Sequence, residues 1–160
     1  MKVLHNIPPE YDKNSKTLIL GSFPSVKSRE QEFFYGHGKN RFWKVLSTIF
    51  SDSEPVTIEE KKAFLKRHKI ALWDVIYSCS ITGSADSSIK DVVPNDLSAI
   101  LSNSAVSKIF VNGKTAYKYY KKYIENSICV PAICLPSTSP ANAGIGLARL
   151  VEEWSIITKD

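Results

Sequence analysis

The chain has 160 residues, with 21 lysines and arginines against 16 aspartates and glutamates, which gives a formal charge of +5. Its 43% hydrophobic and 23% charged content is ordinary for a globular protein and excludes wholesale disorder, a fibrous repeat and a disulfide scaffold. The length fits one domain, residues 1–160, and the modest charge permits an anionic partner without choosing between nucleic acid, acidic lipid and a phosphorylated metabolite.

The sequence carries no sign of export, membrane insertion or metal binding. No apolar run is long enough for a signal peptide or for the roughly 20 residues of a membrane helix. The three cysteines form no CxxC pair, and His5, His37 and His68 lack the spacing of metal ligands. We therefore expect a cytoplasmic protein with no membrane contact, no metal and no cofactor.

Hydrophobic periodicity predicts strands that alternate with helices along the chain. In chain order we expect a strand at 17–21, an irregular stretch at 22–40, a helix from 41 that includes 49, a helix at 57–68, a strand at 70–76, an irregular stretch at 77–94, a helix at 95–102, a strand at 108–113, a helix at 114–124, a strand at 133–135 and a helix at 146–157. This alternation predicts a three-layer α/β/α sandwich around a central, mainly parallel four-stranded sheet.

The carboxyl ends of the predicted strands are the expected place for a ligand, because open parallel sheets bind ligands beyond those ends. The segments that leave them are 21–40, 74–91, 112–115 and 136–144, and they hold the irregular, polar sequence of the chain. We therefore look for the functional residues in these segments.

The first of these segments begins with Gly21-Ser22-Phe23-Pro24-Ser25. Glycine lets a backbone turn approach a ligand closely, and proline fixes the next φ angle. The run matches neither the Walker pattern, nor GxGxxG, nor the G-x-S-x-G nucleophile elbow. Taken alone, it fits an ordinary strand-to-loop turn as well as a ligand contact.

An aromatic and polar stretch, Phe33–Trp43, follows. Its five aromatic residues lie beside Lys, Asn, Arg and His, a combination typical of a base-stacking pocket near phosphate. We expect Phe42 and Trp43 to be core residues of the next helix. Tyr35 and Asn40 precede regular structure and are candidate ligand contacts, although Asn40 fits a helix N-cap about equally well.

Two further features follow later strands. Asp74 lies in an otherwise apolar strand, where a buried carboxylate is costly unless it is paired; it either caps a turn or faces the ligand, and we favour the ligand. The loop Leu135–Gly144 places three hydroxyl residues between two prolines, which suits donation to backbone phosphate. The same loop is also compatible with a plain Ser/Thr turn.

Together, Gly21-Ser22-Phe23-Pro24, the segment from Tyr35 ending Asn-Arg-Phe-Trp, and the loop Leu-Pro-Ser-Thr-Ser-Pro-Ala-Asn resemble the uracil-DNA glycosylase superfamily. Among its branches the chain is most similar to the DNA-deoxyinosine, or hypoxanthine-DNA, glycosylases, from about Leu18 to the final helix. Two positions depart from many members. Phe23 stands where they carry a water-activating Asp or Asn, and Leu135 stands where they often carry His or Asn.

The resemblance implies a monofunctional DNA glycosylase that hydrolyses the N-glycosidic bond of a deaminated base, most of all hypoxanthine, flipped out of DNA. It assigns the catalytic role to Asn40, and base contacts to Ser22, Phe23, Tyr35 and Asp74, with Tyr35 stacking on the base. An Asp74 carboxylate, which accepts but does not donate, would favour hypoxanthine with its N1 proton over adenine. The expected DNA-holding residues are Ser25, Lys39, Ser137, Thr138, Ser139, Pro140, Ala141 and Asn142.

Other functions stay open at this point. The nearest is a glycosylase for uracil or another damaged base; Phe23 and Leu135 also allow a catalytically silent DNA-binding module on the same fold. A small-molecule nucleosidase fits the Ser-rich loop less well. A lyase would need an amine such as that of Lys39, for which a phosphate contact or solvation is the better interpretation. We expect damaged DNA as the partner, no obligate protein partner and a monomer.

Overall fold

A computed structural model describes residues 2–159 of the chain. Its strands are β1 (Lys2–Leu4), β2 (Thr17–Gly21), β3 (Ile70–Asp74), β4 (Ile76–Ser80), β5 (Lys90–Pro94), β6 (Lys108–Asn112) and β7 (Ile133–Leu135). Its α-helices are α1 (Val26–Gln31), α2 (Phe42–Ile49), α3 (Ile58–Arg67), α4 (Ser98–Ser102), α5 (Lys114–Tyr123), α6 (Glu125–Ile128) and α7 (Leu147–Trp154). Short 3-10 turns lie at Asp86–Ser88, Pro140–Asn142 and Ser155–Thr158.

The central sheet has four strands in the order β3-β2-β6-β7, and every neighbouring pair is parallel. Alternate residues of β2 face opposite sides: Ile19 belongs to the core formed with α2, α3 and α7, while Leu18 and Leu20 belong to the core formed with α4 and α5. Because apolar side chains leave both faces, helices cover both, and the predicted three-layer α/β/α sandwich is confirmed.

A second sheet was not predicted. It contains β1, β4 and β5 in antiparallel order β1-β4-β5, so the prediction that residues 77–94 are irregular is wrong. Serines interrupt the apolar pattern of β4, β5 is largely exposed, and the two strands pair with register shifts. Short, half-polar strands of this kind give little periodic signal.

The helices follow the prediction closely where local signals are strong. The Thr-x-x-Glu pattern forms a capping box at α3, in which Thr57 accepts a hydrogen bond from the Glu60 N–H and the Glu60 carboxylate accepts one from the Thr57 N–H. The stretch 22–40, predicted to be irregular, contains the short helix α1. Within residues 2–159, no helix has the length and apolarity needed to cross a membrane.

Candidate base-binding site at the carboxyl edge of the sheet

The last residues of the four parallel strands lie side by side at one edge. Gly21 of β2 is in register with Asp74 of β3, and Asn112 of β6 is in register with Leu135 of β7. Leu20 pairs with Val111, which places Asn112 beside Gly21. The polar groups therefore converge where the topology of a parallel sheet places ligands.

Gly21 is the point of closest approach in this row. A Cβ atom built on Gly21 would collide with Oδ1 of Asp74 and would lie 3.0 Å from the hydroxyl of Tyr35. Only glycine leaves room for both groups at this position. One carboxylate oxygen and one phenolic hydroxyl consequently meet over the end of β2.

Asp74 is buried, with 3% of its surface exposed, and its second oxygen has a partner. Oδ2 of Asp74 lies 2.8 Å from Nε2 of His5. The other ring nitrogen of His5, Nδ1, accepts a hydrogen bond from the backbone N–H of Ile7 at 3.2 Å. Since an accepting nitrogen carries no proton, Nε2 holds the proton of the neutral ring and donates it to Asp74.

Tyr35 brings a buried hydroxyl to the same place. Its backbone has φ +54°, a left-handed conformation that is uncommon for a bulky residue. Among the described residues its hydroxyl has no hydrogen-bond partner, although that atom is buried. Burial, and after it the negative charge of Asp74, raises the pKa of Tyr35 far above its ordinary value against the opposing effect of the nearby Asn112 side chain, so the hydroxyl stays a donor.

The turn that holds Tyr35 is fixed from two sides. The hydroxyl of Ser28, on α1, accepts a hydrogen bond from the Gly36 N–H at 3.0 Å. The Tyr35 ring stacks on Phe42 with 3.8 Å between centroids and 16° between planes. Phe42 therefore covers one face of the ring, and a base could stack only on the opposite face.

Asn40 lies just before α2. Its Oδ1 accepts a hydrogen bond from the Phe42 N–H at 2.9 Å, so the side chain caps the helix start one residue before the N-cap position, which Arg41 occupies. A backbone N–H can only donate, and this identifies the atom that faces it as Oδ1. The amide nitrogen Nδ2 is left as the group that can donate to a substrate.

Arg41 connects this segment to the last loop. Its guanidinium donates to the carbonyl of Ile145 at 2.8 Å and to that of Asn142 at 3.2 Å, and its backbone N–H donates to the carbonyl of Thr138 at 3.1 Å. The arginine of the Asn-Arg-Phe-Trp run thus joins the catalytic candidate Asn40 to the loop that follows β7.

The last loop is attached to the sheet through Asn112. The side chain of Asn112 donates to the Thr138 hydroxyl and accepts from the Thr138 N–H, both at 3.0 Å. Thr138 is completely buried, so its side chain holds the loop and does not face DNA. From the sequence, a contact with DNA was expected of it. This placement gives Thr138 a structural contribution in place of a direct phosphate contact.

Ser137 and Ser139 lie half-buried at the surface of the same loop. The Ser137 hydroxyl accepts from the Ser139 N–H at 3.1 Å, and the Ser139 hydroxyl accepts from the Ala141 N–H at 3.2 Å. Each hydroxyl keeps its own proton for donation. Pro140, Ala141 and Asn142 form the following 3-10 turn, in which Ala141 is exposed and the Asn142 side chain donates to the Ser137 carbonyl.

The remaining predicted residues have different surroundings. Ser22 is buried and donates to Asp86 at 3.1 Å. Phe23 is buried, with its ring centroid 6.0 Å from that of His5. Ser25 caps α1 by accepting from the Ser28 N–H, and Lys39 is exposed.

Sequence reasoning missed His5, Asn112 and Asp86. Asn112 could have been found, because a polar residue ending a buried strand is the same signal that marked Asp74. Asp86 lies on the loop after β4; although it is exposed overall, desolvation of its carboxylate raises its pKa, with Asp74 adding to the rise and the Ser22 hydrogen bond opposing it. His5 gave no local signal.

Comparisons with known proteins identify the family of the chain. The family model described as the uracil DNA glycosylase superfamily matches residues 8–154. A protein of Methanosarcina barkeri named hypoxanthine DNA glycosylase is 37% identical over 115 residues, covering 70% of this chain and 72% of that protein. A protein of the same name from Methanosarcina acetivorans is 32% identical over 159 residues, covering 97% and 98%.

The fold is also that of a solved structure. The solution NMR structure of a Methanosarcina acetivorans protein, described as a candidate uracil DNA glycosylase, superposes with a TM-score of 0.80 at 29% sequence identity. The match covers 99% of this chain and 99% of that protein. With its parallel sheet, its carboxyl-edge site and a family match over nearly its whole length, the chain belongs to the uracil DNA glycosylase superfamily.

Proposed function

We propose that the chain is a monofunctional DNA glycosylase that removes hypoxanthine, the deaminated form of adenine, from DNA. The proposal is supported by the family and by the name of the two Methanosarcina relatives. The observation that carries it within this chain is the buried Asp74 carboxylate at the end of β3, with Oδ1 facing Gly21.

The base edge that fits this site is a lactam. Hypoxanthine presents an N1–H donor beside the O6 acceptor, whereas adenine presents an N1 acceptor beside an amino donor. Oδ1 of Asp74 accepts from N1–H, and the Tyr35 hydroxyl, protonated and without a partner among the described residues, donates to O6. Adenine would meet both groups with the wrong polarity, and a buried mismatch of this kind costs about 1–3 kcal/mol per group.

This assignment changes the part expected of Tyr35. Its ring is already stacked on Phe42, so we propose that the hydroxyl, rather than the ring face, contacts the base. The Tyr35 hydroxyl is shielded in the folded chain, so we propose that a local opening of the site precedes its contact with a base. Flipping the base out of the DNA stack costs a few kcal/mol and favours weakly paired lesions.

Asn40 is the proposed catalytic residue. Its Oδ1 is held by the Phe42 N–H, which leaves the Nδ2 protons to orient the attacking water or to stabilise charge as the glycosidic bond breaks. Phe23 supplies no carboxylate at the first motif, so the proposed reaction is dissociative, with the departing deaminated purine contributing much of the rate.

The proposed DNA contacts lie along the two surface segments next to the site. Lys39 is exposed, and the Ser137 and Ser139 hydroxyls keep a free proton for phosphate oxygens. Ser25 lies at the start of α1, where its hydroxyl already donates to Ser28. The turn at Pro140–Asn142 is the proposed segment that enters the vacated base stack.

Uracil is the second candidate base, and one observation favours it: uracil also presents an N–H beside a carbonyl, so the same two groups can read its edge.

We further propose a monomer of one domain, residues 1–160, acting on chromosomal DNA in the cytoplasm without an obligate protein partner. Sedimentation equilibrium tests the monomer.

Duplex oligonucleotides carrying deoxyinosine, uracil, xanthine or ethenoadenine test the activity. We expect strand cleavage at deoxyinosine only after alkali treatment, because a monofunctional enzyme leaves an intact abasic site. Cleavage without alkali would indicate a lyase that uses an amine such as that of Lys39. Excision of no lesion, with DNA binding retained, would overturn the proposal in favour of a silent DNA-binding module.

A further inference from the structure

His5, which follows β1 near the N-terminus, lies outside the sequence motifs that resemble the superfamily. Strand β1 pairs with β4, with Leu4 opposite Ser78, and the His5 N–H donates to the Tyr77 carbonyl at 2.7 Å. Beyond it, the Ile7 carbonyl accepts from the Trp73 indole N–H at 3.0 Å. Because this segment is attached on both sides of His5, the ring is fixed against the end of β3.

The His5 ring is buried among aromatic side chains and has one hydrogen-bond donor, which faces Asp74. Its side chain is 1% exposed, and its ring packs edge-on against Phe23 and Trp73 at centroid distances of 6.0 and 5.9 Å. Nδ1 accepts from the Ile7 N–H, which leaves Nε2–H to donate to Oδ2 of Asp74 at 2.8 Å. His5 therefore presents a single, oriented donor to the carboxylate.

We propose that His5 is a specificity-determining positioning residue that acts through Asp74. By occupying Oδ2, it fixes the plane of the carboxylate and leaves Oδ1 as the one acceptor directed to the base edge beside Gly21. The Ile7 N–H fixes the neutral tautomer, so His5 supplies orientation without adding a positive charge that would weaken the acceptor. The inference rests on the proposed base-reading function of Asp74.

Two substitutions separate the hydrogen bond from the packing. His5→Phe keeps a ring against Phe23 and Trp73 but removes the donor, while His5→Gln can place an amide N–H near the position of Nε2. We expect His5→Phe to lower single-turnover excision of deoxyinosine by roughly 10-fold or more and to lower the preference over adenine, with partial recovery in His5→Gln.

A matched control exists in the same chain. His68 donates to Asp52 at the same 2.8 Å distance, outside the carboxyl edge of the central sheet. His68→Phe should leave excision unchanged. In an Asp74→Asn background, His5→Phe should cause no further loss, because the two residues act as one unit. Affinity for a duplex with an abasic site, which has no base for Asp74 to contact, should stay the same in His5→Phe.

The outcomes are distinct. Equal excision by His5→Phe and the unchanged chain, an equal loss in the Asp74→Asn background, or a matching loss of abasic-site affinity would each overturn the inference. The ¹⁵N NMR shifts of His5 at neutral pH provide a readout independent of activity: we expect a neutral ring protonated at Nε2, and an imidazolium or the Nδ1–H tautomer would overturn it. If the unchanged chain excises no base while NMR finds the expected tautomer, the proposed function fails and the pair is structural only.

Discussion

Gly21 and Asp74 lie opposite each other at the ends of two parallel strands, so close that no side chain fits on Gly21 without touching the Asp74 carboxylate. Gly21→Ala would push its methyl group against Oδ1 of Asp74 and towards the Tyr35 hydroxyl. We expect a fall in deoxyinosine excision of about 10-fold or more, because a misplacement of about 1 Å can cost a hundredfold in rate. Steady-state kinetics measure the effect, and excision at the unchanged rate would contradict the close approach.

Two substitutions of Asn40 separate its contribution to helix capping from its proposed catalytic role. Asn40→Asp keeps an oxygen for the Phe42 N–H but removes the Nδ2 donors, whereas Asn40→Ala removes both. We expect Asn40→Ala to lose about 1 kcal/mol of unfolding free energy and its excision activity. Asn40→Asp should lose activity while retaining stability. Chemical denaturation and single-turnover excision measure the two effects; excision by Asn40→Asp as fast as by the unchanged chain would contradict the donor assignment.

Arg41 is predicted to act on the loop after β7. Arg41→Lys cannot reproduce the two hydrogen bonds that the guanidinium group donates to the Asn142 and Ile145 carbonyls. We expect a loss of about 1–3 kcal/mol in unfolding free energy and weaker binding to DNA, because the loop that carries Ser137 and Ser139 is no longer held to Asn40's segment. Denaturation and fluorescence anisotropy with labelled duplex check this, and unchanged DNA affinity would contradict the connection.

The buried hydroxyl of Tyr35 predicts a pH dependence of stability. Burial first and Asp74 second raise its pKa, so the hydroxyl stays protonated in the folded chain while an unfolded tyrosine ionises near pH 10. Its contribution is therefore constant below about pH 10 and declines above it, where ionisation stabilises the unfolded chain. The unfolding free energy of the unchanged chain should fall relative to that of Tyr35→Phe as pH rises from about 9 to 11.

Half-exposed Tyr77 provides the control substitution, Tyr77→Phe, in the same denaturation series. If the difference in unfolding free energy between the unchanged chain and Tyr35→Phe stays constant through this pH range, the Tyr35 hydroxyl is not shielded. At neutral pH the same Tyr35→Phe protein also tests base contact, since a hydroxyl that donates to O6 is lost while the ring remains.

The parallel sheet and the edge at which its polar residues converge could be predicted because each strand is an apolar run with a clear end. Asp74 was recognised as a candidate from sequence alone, since a carboxylate in such a run conflicts with burial unless it has a partner. The partner, His5, could not be predicted, because β1 has three residues and its pairing with β4 bridges more than seventy residues of sequence.

Side-chain roles within a loop were harder to predict than the loop itself. The loop carries three consecutive hydroxyl residues, Ser137, Thr138 and Ser139, whose side chains have similar chemistry. Thr138 is completely buried against Asn112, whereas the two serines are half-buried at the surface. That difference depends on the register of β6 and β7, which sequence periodicity does not specify. The direction of the Tyr35 hydroxyl could not be predicted either, because it depends on a left-handed backbone turn.

The most direct test of the proposed base recognition is the preference for deoxyinosine over deoxyadenosine in Asp74→Asn. An amide can turn a donor towards the base, so we expect excision of hypoxanthine to fall and the preference over adenine to shrink, in line with about 1–3 kcal/mol of lost discrimination. Asp52→Asn, which alters the carboxylate paired with His68, is the control. A full hypoxanthine preference in Asp74→Asn would contradict the assignment of Asp74 as the residue that reads the base.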